Sequence, residues 1–320
     1  MSSQEQEIAS LVTLVAVLLV AGCGGTDSDD PSDVSTQPPV ADARQGAVGC
    51  YAASFAGLDS SQIGCGLINS FGDPAFDLQF SQEIAIQGSF WAGVPATVYA
   101  FDECAPDRKN AYAHPDRYIL MGYWMARDVV FTTGSALPVA GVLAHEYGHQ
   151  VQFQNGWMTS NEPTARRTEL EADMWSGFYM ALAKAWTGPE INTYFQYLFS
   201  LGDFYFHDPN HHGTPNQRLA AGYVGFDVGY QVGTSGQPLS YVELHNIFIR
   251  EVDRITATVS AKHGESSKPR APLSAAGEET IRQIDRAFVD RLLSGQASLD
   301  DKSYGLGGVP ESERLTLHPF

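Results

Sequence analysis

Apolar residues recur along this chain at changing intervals. Residues 8–20 form an apolar run without a charge. It is short for a bilayer, which takes about 20 such residues to cross. Residues 82–91 and 96–102 read as strands, with β-branched and aromatic side chains bounded by Gly and Pro. Residues 118–122 read as another. The period then lengthens to that of a helix. Residues 137–153 form the first long one, with Ser135 as N-cap, Pro138 in the first turn and Asn155-Gly156 at the end. Residues 164–186 form a second, stopped by Gly188-Pro189. Residues 191–201 form a third, strongly aromatic one, and residues 215–232 a fourth. Residues 276–293 are amphipathic, with Ile281, Ile284, Phe288 and Leu292 on one face. Residues 262–272 read as an exposed linker, and the tail after Ser294 is polar. No internal repeat is visible. Strands first and helices afterwards give an α+β domain.

Composition narrows the function classes. The chain has 320 residues, 43% of them apolar and 11% aromatic, which suffices for a large core. Its net charge of −18 leaves no cationic excess to neutralise phosphates, so nucleic acid is not an expected partner. The same charge disfavours docking on an anionic leaflet through basic patches. Four cysteines are too few for a disulfide framework.

The early apolar run ends in Val20-Ala21-Gly22-Cys23. This resembles the lipobox of bacterial lipoproteins, in which cleavage precedes the cysteine and the thiol is acylated. The following stretch holds Asp27, Asp29, Asp30, Pro31 and Asp33 and suits a flexible tether. One feature departs from the pattern: residues 1–10 carry Glu5 and Glu7 and no Lys or Arg, where a signal peptide is ordinarily basic. The expected organisation is a signal peptide over 1–22, an acidic tether over 23–45, a main domain over 46–235, and a helical extension with a polar tail over 236–320. Membrane contact would then run through the lipid on Cys23. Gly24, where Asp would signal retention, leans towards the outer membrane of the cell envelope. Of Cys50, Cys65 and Cys104, two can pair outside the cytoplasm, and all three pairings are open.

The chemistry concentrates in His145-Glu146-Tyr147-Gly148-His149. On a helix, positions i and i+4 share a face, so both imidazoles reach one ion. Zinc accepts neutral imidazole nitrogen. Glu146, beside the first ligand, is placed to take a proton from a water and pass it to a leaving amine. A third ligand is needed. The metzincin pattern is absent, because Asn155 stands where its third histidine would be. The next helix offers Glu169-Leu170-Glu171-Ala172-Asp173. Glu169 is the expected ligand. Asp173, one turn later on the same face, is placed to accept a ring N–H from a ligand histidine. Glu171 is the rival ligand, about 200° around the helix.

These residues resemble the zinc metallopeptidases of the gluzincin type, namely the HtpX-like and CaaX-prenyl-protease groups and the neutral zinc metallopeptidases of the YpfJ type. Three blocks carry the resemblance: residues 110–119, beginning Asn110-Ala111-Tyr112-Ala113; residues 143–152 around the two histidines; and Glu169 to Asp173. A looser fourth is His212-Gly213-Thr214-Pro215-Asn216-Gln217-Arg218. Together they span about half the chain. The resemblance implies a zincin-like domain holding one Zn²⁺ on His145, His149 and Glu169, with a protein or peptide as substrate. It implies an edge strand at Asn110, Ala111 and Tyr112 that binds substrate in extended form. It also implies an oxyanion donor at His212 and a supporting role for Arg218. The sequence departs from the family at Arg117, often Gly, and at Met174, often Cys. The alternatives are a catalytically silent zincin-fold lipoprotein acting as a binding or assembly factor, and a surface lipoprotein whose histidines are structural.

Overall fold

A computed structural model describes residues 65–158, 163–184, 188–257 and 271–297. The signal segment, Cys23, the tether and Cys50 lie outside the described residues. In chain order the elements are β1 (Gly66–Ile68), α1 (Pro74–Phe90), β2 (Thr97–Asp102), β3 (Ala111–His114), β4 (Tyr118–Gly122) and α2 (Tyr123–Thr133). There follow α3 (Leu137–Asn155), α4 (Arg166–Ala183), α5 (Gly188–Ser200), α6 (Pro215–Ser235), α7 (Tyr241–Ala257), α8 (Ala275–Gln283) and α9 (Arg286–Leu293). The class is α+β: a small mixed sheet followed by helices. Among the described residues no helix is long and apolar enough to cross a membrane.

The strand order is β1-β2-β4-β3, which leaves β3 at an edge. β2 and β4 run parallel, while β1 and β3 are antiparallel to their neighbours. A disulfide joins Cys65, before β1, to Cys104, after β2, with the Cα atoms 5.0 Å apart. The β3–β4 hairpin turns through Pro115, Asp116 and Arg117, and Arg117 N–H donates to His114 O at 3.0 Å. Arg117 sits at φ 63°, the left-handed position that closes a three-residue hairpin. Glycine occupies such a position without steric cost. The departure noted at Arg117 is therefore a local strain in the turn.

Residues 82–91 are not a strand, as their β-branched and aromatic side chains had suggested, but the second half of α1 and its C-cap. Asp73 caps this helix, accepting from Ala75 N and Phe76 N, and Pro74 opens its first turn. The inward face carries Glu83 and Gln87 beside Phe80, so the apolar period of a helix is interrupted. These polar groups are satisfied within the core. Gln87 donates to Glu83 and to Ala140 O, both at 2.9 Å, and Tyr179 OH donates to Glu83 at 2.5 Å. Lys184 pairs with the same carboxylate.

Other boundaries shift for local reasons. Ser135 is not the N-cap of α3, which is Ala136, although Ser135 Oγ accepts from Leu137 N–H at 3.1 Å. Gly188-Pro189 begins α5 where a stop had been expected. The single amphipathic helix expected over 276–293 is two, because Ile284 leaves helical geometry and Asp285 caps α9 through Phe288 N–H. α2 and α7 had not been expected. The N-terminus of α2 is capped from a distance: buried Glu103 accepts from Trp124 N at 2.8 Å and Met125 N at 2.9 Å. α7 buries Leu244, Ile247, Phe248, Val252 and Ile255, a helical spacing. Phe248 meets Trp175 of α4 edge-on at 4.9 Å, and Phe288 of α9 meets Tyr223 of α6 at 4.9 Å. The helices after residue 235 thus share one core with those before it.

α4 lies between α3 and α6 at close range. A Cβ on Gly148 of α3 would come within 2.9 Å of Trp175 Cβ. One on Gly225 of α6 would meet Met174 O at 1.9 Å. Only glycine permits both approaches. Gln150 of α3 ties the helix to the sheet, donating to His114 O at 2.8 Å and Tyr118 O at 3.1 Å.

Relieving the turn strain is expected to stabilise the protein. Arg117→Gly should raise the unfolding free energy by about 0.5–1 kcal/mol, the left-handed penalty less the added freedom of the unfolded glycine. A denaturant titration checks this; a lower midpoint would show that the arginine side chain earns its place by other contacts.

Candidate metal centre

Two packed helices, α3 and α4, supply the centre, and α6 supports it. α3 presents His145 and His149 on one face, one turn apart, their rings perpendicular with centroids 4.7 Å apart. α4 brings Glu169 against them. Its Oε2 lies 3.3 Å from His145 Nε2 and its Oε1 lies 3.4 Å from His149 Nε2. One donor atom from each of the three falls within 4.8 Å of the others, and all three residues are buried.

The donor chemistry fits a divalent metal ion. His145 Nδ1 lies 2.9 Å from Asp173 Oδ1, and His149 Nδ1 lies 2.8 Å from Gln152 Oε1. Both partners accept, so each neutral ring carries its hydrogen on Nδ1 and its lone pair on Nε2. Two lone pairs facing one carboxylate repel, and a cation between them removes that repulsion. Each imidazole Nε2 faces a different Glu169 oxygen, at 3.3 and 3.4 Å, which leaves the carboxylate and both lone pairs directed at one another.

Glu171, the rival ligand, turns away from the histidine pair. Its carboxylate meets Gln152 at 3.0 Å, Trp175 at 3.2 Å and His245 at 2.7 Å. Asp173 stands where its spacing placed it. Besides His145 it receives a two-pronged contact from Arg218, Nε to Oδ2 at 2.8 Å and Nη2 to Oδ1 at 2.7 Å. Burial alone pushes the Asp173 carboxyl up; the Arg218 charge and the His145 hydrogen bond outweigh it and hold the carboxyl below its ordinary value.

Glu146 is buried beside the first histidine. Burial raises its carboxyl to about 7, against the pull of His149 and His145 and of a hydrogen bond from the backbone of Ala113 on β3. Its Oε2 has no hydrogen-bond partner among the described residues. A buried carboxyl with proton affinity near neutrality is suited to accepting and returning a proton.

Residues 212–218 are a helix start. Thr214 is the N-cap of α6, Pro215 opens the first turn, and Thr214 and Gln217 form a reciprocal capping box. That fixes Arg218 at the base of α6, facing Asp173. His212 precedes the cap, with its imidazole near enough to Glu169 and Arg218 to feel their charges. Burial is the largest influence on it and lowers its pKa, so it is neutral at pH 7. Asp203 steadies this loop, accepting from His212 N at 3.1 Å and pairing with His211.

Asn110, Ala111 and Tyr112 lie where β3 begins, at the sheet edge beside α3. Ala111 N–H donates to Asn110 Oδ1 at 2.9 Å, and Asn110 N–H lies 3.4 Å from Glu103 Oε1. Sequence reasoning assigned no role to Gln152 or Asp203. Gln152 sits at i+3 from His149, a spacing that signals a helical contact. Asp203 carries no such signal, because its contact with His212 depends on the loop.

Truncating Arg218→Ala leaves the buried Asp173 carboxylate without its cation and should cost about 3–5 kcal/mol, read from denaturant unfolding. Asp173 also predicts an acid limb. Its folded value lies below the ~3.9 of an unfolded aspartate. The stability it contributes is full above about pH 4 and vanishes as pH falls through the folded value. Thermal melts between pH 2 and 6 should show this loss, and Asp173→Asn should flatten it. No family model, curated protein or solved structure matches this chain, so the centre's own chemistry carries the functional reading.

Proposed function

We propose that this chain is a lipid-anchored, zinc-dependent endopeptidase of gluzincin type with a zincin-like domain. The observation that carries the reading is the convergence of His145 Nε2, His149 Nε2 and the Glu169 carboxylate, with Glu146 alongside. Zinc, when bound, supplies a Lewis acid that polarises a carbonyl and makes water a nucleophile near neutral pH. The remaining work falls to this chain's side chains. Asp173 and Gln152 hold the two rings with Nε2 forward. Glu146 takes a proton from the attacking water and delivers it to the nitrogen of the departing amine. His212, neutral and close to Glu169, donates to the oxygen that becomes negative as the carbonyl is attacked. β3 offers an edge along which a peptide adds as a further strand.

The anchor rests on the run over 8–20 and on Val20-Ala21-Gly22-Cys23. The Cys65–Cys104 disulfide suits a compartment outside the cytoplasm. The substrate class is protein or peptide in the cell envelope, reached by a tethered domain.

Metal content of the purified chain, paired with hydrolysis of casein or a quenched peptide, tests the reading. One zinc per chain is expected. Glu146→Gln should retain zinc and lose about 100- to 10,000-fold in rate, the range spanned by general-base catalysis. Zinc with no hydrolysis in the wild type would replace the peptidase with a silent binding protein. A folded chain that takes up no zinc would sink the metal centre.

A further inference from the structure

α7 carries a histidine that the proposed mechanism leaves unused. His245 Nδ1 lies 2.7 Å from Glu171 Oε1, and the ring stacks on Trp157 with centroids 4.0 Å apart. Glu171 is buried, two positions from Glu169 yet turned away from it. Its second oxygen accepts from Gln152 Nε2 at 3.0 Å. The other hydrogen of that amide goes to Thr168 O at 2.9 Å. Both N–H groups of Gln152 are therefore spent on oxygen acceptors. The reversed amide would set its oxygen against those same two oxygens. Gln152 must turn Oε1 towards His149 Nδ1, and an amide oxygen only accepts.

We propose that His245, Glu171 and Gln152 form a relay that fixes the tautomer of His149, with His245 as a positioning residue that acts on the metal centre from the far side of α4. The relay rests on the zinc reading above. The two histidines are then oriented by different means. His145 is held directly by a carboxylate that Arg218 clamps. His149 is held by a neutral amide, which has no preferred direction of its own. Glu171 supplies the direction together with Thr168 O. His245, with the Trp175 indole N–H, anchors Oε1 of Glu171, which leaves Oε2 presented to Gln152. Trp157 locks the outer end: its N–H donates to Gln152 O at 2.8 Å while its ring covers His245.

Zinc affinity of the purified full-length chain, measured by chelator competition, is the first readout. Glu171→Gln lets the side chain present either an oxygen or an N–H to Gln152, and affinity should fall about 10- to 100-fold. His245→Ala should fall towards the lower end of that range. His245→Asn, whose amide nitrogen takes the place of Nδ1, should recover most of the loss. The second readout is nitrogen NMR of His149 in the zinc-free chain. The hydrogen is expected on Nδ1 in the wild type and shared between both nitrogens in Glu171→Gln. A purely structural role would lower the melting temperature and leave affinity and tautomer unmoved, which overturns the relay. So does wild-type affinity in both Glu171→Gln and His245→Ala, and in that case the zinc centre stands. A folded wild-type chain without zinc affinity removes the centre itself, and the relay as a device for tuning it.

Discussion

One buried carboxylate joins the three helices on which the centre depends. Asp173 sits on α4, accepts from His145 on α3, and is gripped by Arg218 on α6. Each contact alone would be costly, since a charge removed from water loses its hydration. Together they saturate the carboxylate with donors and offset that loss. The geometry of the pair also fixes what His145 shows to the interior. A ring whose Nδ1–H is claimed by a held acceptor has one option left for its lone pair. Orientation, protonation and helix packing are thus set by the same group.

The close packing of α4 makes this possible. Gly148 and Gly225 bring the backbones of α3 and α6 nearer to α4 than side chains would allow. Glu169 and Asp173 then reach their partners without leaving the core. The cap at Thr214 and Gln217 sets where α6 begins, and so where Arg218 emerges. A helix that started half a turn later would carry the guanidinium past Asp173.

The grouping of the candidate ligands was more legible in sequence than the fold around them. His145 and His149 share a face by helical period, Glu146 is placed by standing next to the first of them, and Glu169 pairs with Asp173 by the same period on a second helix. Contacts of that kind are local to an element, so spacing reveals them. The relay through Glu171 and His245 joins α4 to α7, and the grip of Asp203 on His212 belongs to a loop. Neither leaves a periodic trace. α1 was misread for a related reason. Glu83 and Gln87 occupy its inward face, and they suit a core only because Tyr179 and Lys184 arrive from α4 and its C-terminal end to meet them. The break at Ile284-Asp285 is invisible to a hydrophobic count, since both halves keep their apolar faces. Of the three open cysteine pairings, the sheet selects Cys65 with Cys104 by making β1 and β2 neighbours.

Gln150 gives the architecture a further property. A single amide on α3 spans the carbonyls of His114 and Tyr118, at the mouth of the β3–β4 hairpin. It lies on the same rigid helix as both histidines and Glu146. The gap between the sheet edge and those side chains is therefore gauged by direct contacts, Gln150 with the hydrogen bond from Ala113 to Glu146, as well as by the chain that connects them. That connection, through α2 and the turn before α3, is itself held in the core, with Met125, Ala126 and Val129 buried and Glu103 at its start. The fold thereby sets one spacing twice over, by contact and by connection.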